Sequence, residues 1–229
     1  MDKSSKFWKI AYALSIFAAI FYSSWPLGYI LNPNASKHGL ASALEALHQP
    51  YNWLFILLDV LSSLLVLYIS ASIWNKYKKN MESSLKYALV LMGIFAVGTL
   101  VDTLLPERCI PGSLNCPSWR VDHILLLHGI FSILAAMGLF MSLLIIWKKK
   151  RTNVLSVLLI AYIVFGLISF YEALYPSAGN YSQHYYITLC GIWMALFPFS
   201  IKKTYVERKN NDNIGESLKN TNGIKVKNV

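Results

Sequence analysis

Six apolar blocks of about twenty residues each divide this chain, and short polar or basic segments separate them. At a rise of ~1.5 Å per residue, a helix of ~20 apolar residues crosses a bilayer core of ~30 Å. The pattern predicts spans over residues 7–30, 51–74, 87–105, 122–147, 153–175 and 184–201. The fourth block has the sharpest polarity. It carries Asp122, His123 and His128 at one end and stops at Lys148, Lys149, Lys150 and Arg151 at the other. The first block is too long and too aromatic for a signal peptide, and no small-residue cleavage site follows it. Pro26 and Gly28 are expected to kink or end its helix. Between the first two blocks, Leu40, Leu44 and Leu47 recur at helical spacing and predict a short helix lying in the membrane interface.

The fold class that follows is all-α: a polytopic integral membrane bundle of six transmembrane helices in one domain, residues 1–201. Residues 202–229 are rich in Lys, Asn and Glu and are expected to form a disordered basic cytosolic tail. Composition agrees, with 55% hydrophobic and 14% charged residues, where a soluble domain carries about 25% charged. The formal charge of +10 would point to nucleic acid in a soluble protein. Here it is a topology signal. With the N-terminus cytosolic, the inner segments hold eighteen Lys and Arg and the outer loops only Lys37, Arg108 and Arg120. Both termini are then cytosolic, and the expected partner is membrane lipid. Trp8, Trp25, Trp53, Trp74, Trp119 and Trp147 fall near proposed helix ends, as interface anchors do.

Depth sorts the ionisable groups. Asp59 lies ~12 Å into the second span from its outer end, and Asp102 and Glu172 lie ~5 Å deep. His128 lies ~9 Å below Asp122. Every histidine is outside or in the outer half, and no carboxylate lies in the inner half of any span. A charge deep in a span costs at least ~2.5 kcal/mol, so several at similar depth imply a shared polar pocket open to the outside. Its candidate catalytic residues are Asp59, Asp102, His128 and Glu172. Asp59, Asp102 and His128 would be ligands to zinc, with an open position for activated water. The same set could relay protons or hold a cationic or lipid headgroup. Against this, Asp102 and Glu172 are shallow enough to snorkel or cap a helix, and Asp122 suits an N-cap beside an interfacial His123. His123 and His128 are about 140° apart on a helix, unlike paired metal ligands. The pairs His128 and Ser132, Asp59 and Ser63, and Thr99 and Asp102 share helix faces and could serve only to hold the bundle together. Gly129, Ala135 and Ala136 suggest close helix packing. Cys109 and Cys116 share one outer loop and are expected to form a disulfide. Cys190 reads as a small buried side chain.

Gln49-Pro50-Tyr51-Asn52-Trp53-Leu54-Phe55 followed by Leu58-Asp59-Val60-Leu61 resembles the second span of a bacterial membrane family catalogued as domain of unknown function 998. Asp102-Thr103-Leu104-Leu105-Pro106 with Cys109 resembles its third-span ending and outer loop. His123, His128 and Ser132, then Ser182-Gln183-His184-Tyr185-Tyr186 and Gly191-Ile192-Trp193, resemble its later spans. The resemblance extends to about Ile201. It implies a six-helix bundle and a bacterial inner membrane, and no activity. A remoter likeness is to the membrane hydrolases of the alkaline ceramidase and adiponectin-receptor type, which gather Ser, Asp and His around zinc. This chain lacks their terminal H-x-x-x-H and has one span fewer. The expected function is an outward-facing carboxylate and histidine pocket for metal-dependent hydrolysis, or binding, of a lipid-like substrate. One alternative is a small transporter or proton-coupled carrier, although no inverted repeat or midplane broken helix is visible. Another is a non-enzymatic membrane partner protein.

Overall fold

The computed structural model describes residues 3–37, 41–109, 123–174 and 181–225. Among them all regular structure is helical. Six long helices form the body: α1 (Lys3–Tyr22), α2 (Asn52–Tyr77), α3 (Ser83–Leu104), α4 (His123–Lys150), α5 (Asn153–Leu174) and α6 (Ser182–Lys225). Each contains a segment long and apolar enough to span a membrane; in the first it extends to Leu31. This is an integral membrane protein whose helices contact lipid.

The helix ends follow local chemistry. α1 stops at Tyr22, and Pro26 sits inside the 3-10 turn Trp25–Leu27 that follows. Short helical turns at Gly28–Leu31, Pro33–Lys37 and Ala41–Leu44 carry the chain towards α2. α3 ends just before Pro106, as expected of residues preceding a proline. α4 and α5 are joined by a tight turn with Arg151 at φ 43°, where the Thr152 hydroxyl accepts the Leu155 N–H at 3.4 Å. α6 stays helical to Lys225, beyond the expected span boundary at Ile201.

Consecutive long helices pack side by side, and α6 returns to pack against α1, so the six form a closed ring in chain order. The core includes Phe95, Leu139, Leu143, Ile146, Trp193 and Phe197. Large apolar side chains face outward elsewhere. Val157, Ile160, Val164 and Leu167 form an exposed stripe along α5, at helical spacing. Such a surface is a liability in water and is ordinary against lipid tails.

α3 and α4 make the most extensive helix pair, and small residues allow their backbones to meet. A Cβ on Gly138 would lie 2.7 Å from the Leu91 carbonyl oxygen, and one on Gly98 would lie 2.9 Å from the Ala135 nitrogen. The sequence pattern pointed to Gly129, which instead faces open space. Ala135 does lie in the contact.

Two further expectations change. Residues 41–46 do not lie on the interface; Ala43, Leu44 and Ala46 are almost fully buried, and the segment turns into the bundle. Trp53 is largely exposed, as an anchor should be, but Trp8 is 3% exposed and packs among Phe7, Tyr12 and Tyr77. The amphipathic ring of Trp8 is used for packing rather than for the headgroup layer.

Candidate functional site

At the end of the bundle opposite Lys148–Lys150, the helices part around a cavity of about 100 Å³. α2 contributes Asp59, α3 contributes Thr99 and Asp102, and α4 contributes His128 and Ser132. Tyr22 reaches in at the end of α1, and Gln183, Tyr186 and Cys190 line it from α6. The cavity therefore gathers Asp59, Asp102 and His128, three of the four site residues expected from the sequence. Glu172 is elsewhere. Its carboxylate accepts hydrogen bonds from the Ser182 backbone N–H, at 3.3 Å, and from the Ser182 hydroxyl, tying the ends of α5 and α6 together. Its place on α5 turns the carboxylate to Ser182 rather than to the cavity.

His128 is 6% exposed. Its Nδ1 lies 2.9 Å from Asp102 Oδ1, 3.2 Å from the Asp102 carbonyl and 3.1 Å from the Leu105 carbonyl. All three are acceptors, so Nδ1 carries a proton and donates. The ring thus reaches the Leu105 carbonyl past the end of α3 and adds a donor to the Asp102 carbonyl, which already accepts the Leu105 N–H at 3.0 Å. Ser132 donates to Asp102 Oδ1 at 2.9 Å. The shared faces of the sequence pattern become a contact between α3 and α4. Ser63 differs, since its hydroxyl donates to the Asp59 backbone carbonyl at 2.8 Å and leaves the carboxyl alone.

Two carboxylates that sequence reasoning missed complete the cluster. Glu45 enters on the buried segment 41–46 and lines the cavity beside Asp59, with which its carboxyl interacts. Burial pushes the Glu45 carboxyl from its ordinary 4.5 up to about 7. Asp59 and His128 work against that rise, and Asp102 and Glu107 add to it. Glu107 lies just past α3 and is 5% exposed, with Oε1 3.5 Å from His128 Nε2. Burial raises it to about 7 as well; His128 and a hydrogen bond from Ser42 oppose this, and Asp102 adds to it.

The segment carrying Glu45 is held from both sides. Gln183 Oε1 on α6 accepts the Ala41 N–H at 2.6 Å and the Ser42 N–H at 3.4 Å. The Leu47 N–H donates to the Glu107 carbonyl at 2.7 Å. A lone acid in the Ala- and Leu-rich run 41–47 was the only sequence signal for Glu45. Glu107 had none, because a charge beside a proline in a polar loop is ordinary.

Residues 15–199 match a family described as a protein of unknown function, DUF998. The chain belongs to this family. No curated protein and no solved structure matches it. The DUF998 match covers the four middle spans in full, most of the first and last, and every cavity residue named above, and ends before the basic continuation of α6.

The expected zinc ligands do not converge. Among the described residues no three His, Cys, Asp or Glu side chains form a group that could hold a metal ion. Asp102 and His128 bond each other, while Asp59 is engaged with Glu45. His123 is exposed at the start of α4, away from the cavity lining. Asp122, expected as its N-cap, lies outside the described residues. So does Cys116, the expected disulfide partner of Cys109. Cys190 is buried on the cavity wall as a free thiol. His184 is 2% exposed and packs edge-on against Trp25, with ring centroids 4.6 Å apart.

Proposed function

We propose that this protein is a proton-linked carrier with a binding cavity open to the extracytoplasmic side of a cytoplasmic membrane. The observation that carries the reading is the gathering of Glu45 and Asp59 within a cavity that Asp102 also lines. A proton shared by two acids in a poorly solvated site is released when a ligand takes its place, which couples binding to proton movement. Glu45 is suited to this exchange because its carboxyl titrates near neutral pH. His128, hydrogen-bonded to Asp102 and facing Glu107, is positioned to redistribute charge across the cluster.

In the same reading, a disulfide between Cys109 and Cys116 holds the segment bearing Glu107 beside the cavity mouth. Reduction would then loosen ligand binding without unfolding the bundle.

A hydrolase acting on a lipid-like substrate is the second reading. The chain Ser132, Asp102 and His128 on the cavity wall favours it, since an imidazole oriented by a carboxylate suits general base catalysis. A zinc-dependent version requires Asp59 to leave Glu45 and join Asp102 and His128 around the ion.

Proteoliposomes containing a pH-sensitive dye would separate these readings. Added classes of small polar solutes should produce a protein-dependent pH change inside, and Asp59→Asn should abolish it. If no solute moves protons, or if Asp59→Asn leaves the movement intact, the carrier reading fails. Ester cleavage by the same preparation, lost in His128→Ala, would favour the second.

A further inference from the structure

We infer that the cavity is a site for an organic ammonium group, countered by Asp59, Asp102 and Glu45 and hydrogen-bonded to the Thr99 hydroxyl. This rests on the proposal that the cavity holds a ligand, and it names the ligand's chemistry.

Three independent features converge. The first is charge. Asp59, Asp102 and Glu45 line the cavity, and among the described residues no Lys or Arg does. His128 is the one basic side chain on the wall among the described residues, and Asp102 already engages it. A cation entering the cavity therefore meets acids that supply countercharge as their shared proton leaves, without which burying it would be prohibitive.

The second feature is an unused polar group. Thr99 is 3% exposed and lines the cavity, yet its Oγ1 has no hydrogen-bond partner among the described residues. A helical threonine normally returns its hydroxyl to a carbonyl one turn back. A buried hydroxyl left unpaired costs about 1–3 kcal/mol. An N–H donor in the cavity would remove that cost by bonding to the oxygen.

The third feature is the rest of the wall. Tyr22, Trp25, Phe55, Phe95 and Tyr186 bring aromatic rings to the same space. Rings attract cations through their negative faces and tolerate alkyl groups. A bare metal ion would gain little from them, while an alkylammonium uses both rings and carboxylates. The volume of about 100 Å³ admits a headgroup of a few heavy atoms and excludes an acyl chain. Two sources present this chemistry: a free amine from the aqueous side, and the ethanolamine headgroup of an outer-leaflet lipid.

The test uses full-length protein and reads its unfolding temperature. One arm holds it in maltoside micelles, free of ammonium groups, and titrates ethylammonium against ethanol and potassium at matched ionic strength. The other holds it in phosphatidylglycerol nanodiscs with or without phosphatidylethanolamine. A saturating ligand should raise Tm by about 5 °C. A rise with ethylammonium alone assigns the free amine, and a rise with phosphatidylethanolamine alone assigns the lipid headgroup. Thr99→Val, which keeps the side-chain shape, should weaken the response about tenfold in concentration. Asp59→Asn should remove it. The inference is overturned if neither source raises Tm, if potassium or ethanol does so equally, or if Thr99→Val responds like the parent. Proton movement in proteoliposomes with no ammonium response would leave the carrier reading standing and discard this one.

Discussion

At its Lys-rich end the bundle closes on rings. Trp8 stacks on Tyr77 with centroids 5.2 Å apart, Phe7 meets both, and Tyr205 from α6 packs on Tyr77 at 5.1 Å. The charge there stays at the edge: Lys76 Nζ lies 4.1 Å from the Phe7 ring centroid. At the opposite end α1 to α4 and α6 part around Asp59, Asp102, His128 and two acids carried in on connecting segments. One end buries hydrocarbon and lets its cations reach water. The other draws carboxylates inward and compensates them with shared protons and an imidazole. The first arrangement is what stability asks of a membrane bundle. The second costs stability, so its presence is an argument for use.

That contrast can be broken from either side. The largest expected effect is at the aromatic end, where Trp8→Ala should cost about 3–5 kcal/mol. Denaturation in mild detergent would show it, and the protein that remains folded should keep its ligand response. Next, His128→Ala strips a proton donor from the Asp102 carboxylate and the Leu105 carbonyl and should cost about 1–3 kcal/mol. Here the ligand response should fail together with stability. If His128→Ala lowers only folded yield and every other property persists, the cluster is a packing device and the protein a non-enzymatic partner.

A smaller effect is the dependence on pH. Glu45 and Glu107 have pKa values near 7 in the folded protein, against an ordinary 4.5 when unfolded. The folded state therefore binds more protons than the unfolded state between these values. Their stabilising contribution is complete below about 4.5 and is lost as pH rises through about 7. Tm should fall over that interval and level off above it. Glu45→Gln and Glu107→Gln should each flatten the fall, and an unchanged slope would contradict the burial assigned to these acids. The smallest effect belongs to the exposed pair of Lys149 and Glu82 at the basic end. Lys149→Ala should change stability by no more than about 1 kcal/mol, and high salt should erase the difference.

Asp59 and His128 were readable because an ionisable group inside a long apolar block stands out against its expected cost. Asp102 was readable for the same reason, near the end of its block. Glu45 and Glu107 were not, since a charge outside the spans has no such background. Glu45 lines the cavity and Glu107 faces His128 only because segment 41–46 folds inward and the chain past α3 turns beneath it. Glu172 shows the converse error. Its depth matched that of Asp102, but α5 directs it to Ser182.

Gly129 and Gly138 show the same limit in packing. Both are glycines in α4, and only Gly138 meets the α3 backbone.

Apolar block length set the number of crossings, because hydrocarbon thickness and helical rise are constants of the solvent and the backbone. The expected depth of the polar groups came from the same count along each block. The direction in which each side chain points was settled by the closed ring of six helices, because rotation about a helix axis depends on neighbours rather than on local pattern. The entry of Glu45 into the cavity was likewise tertiary. Gln183 and the Glu107 carbonyl hold that segment from residues far away in the chain.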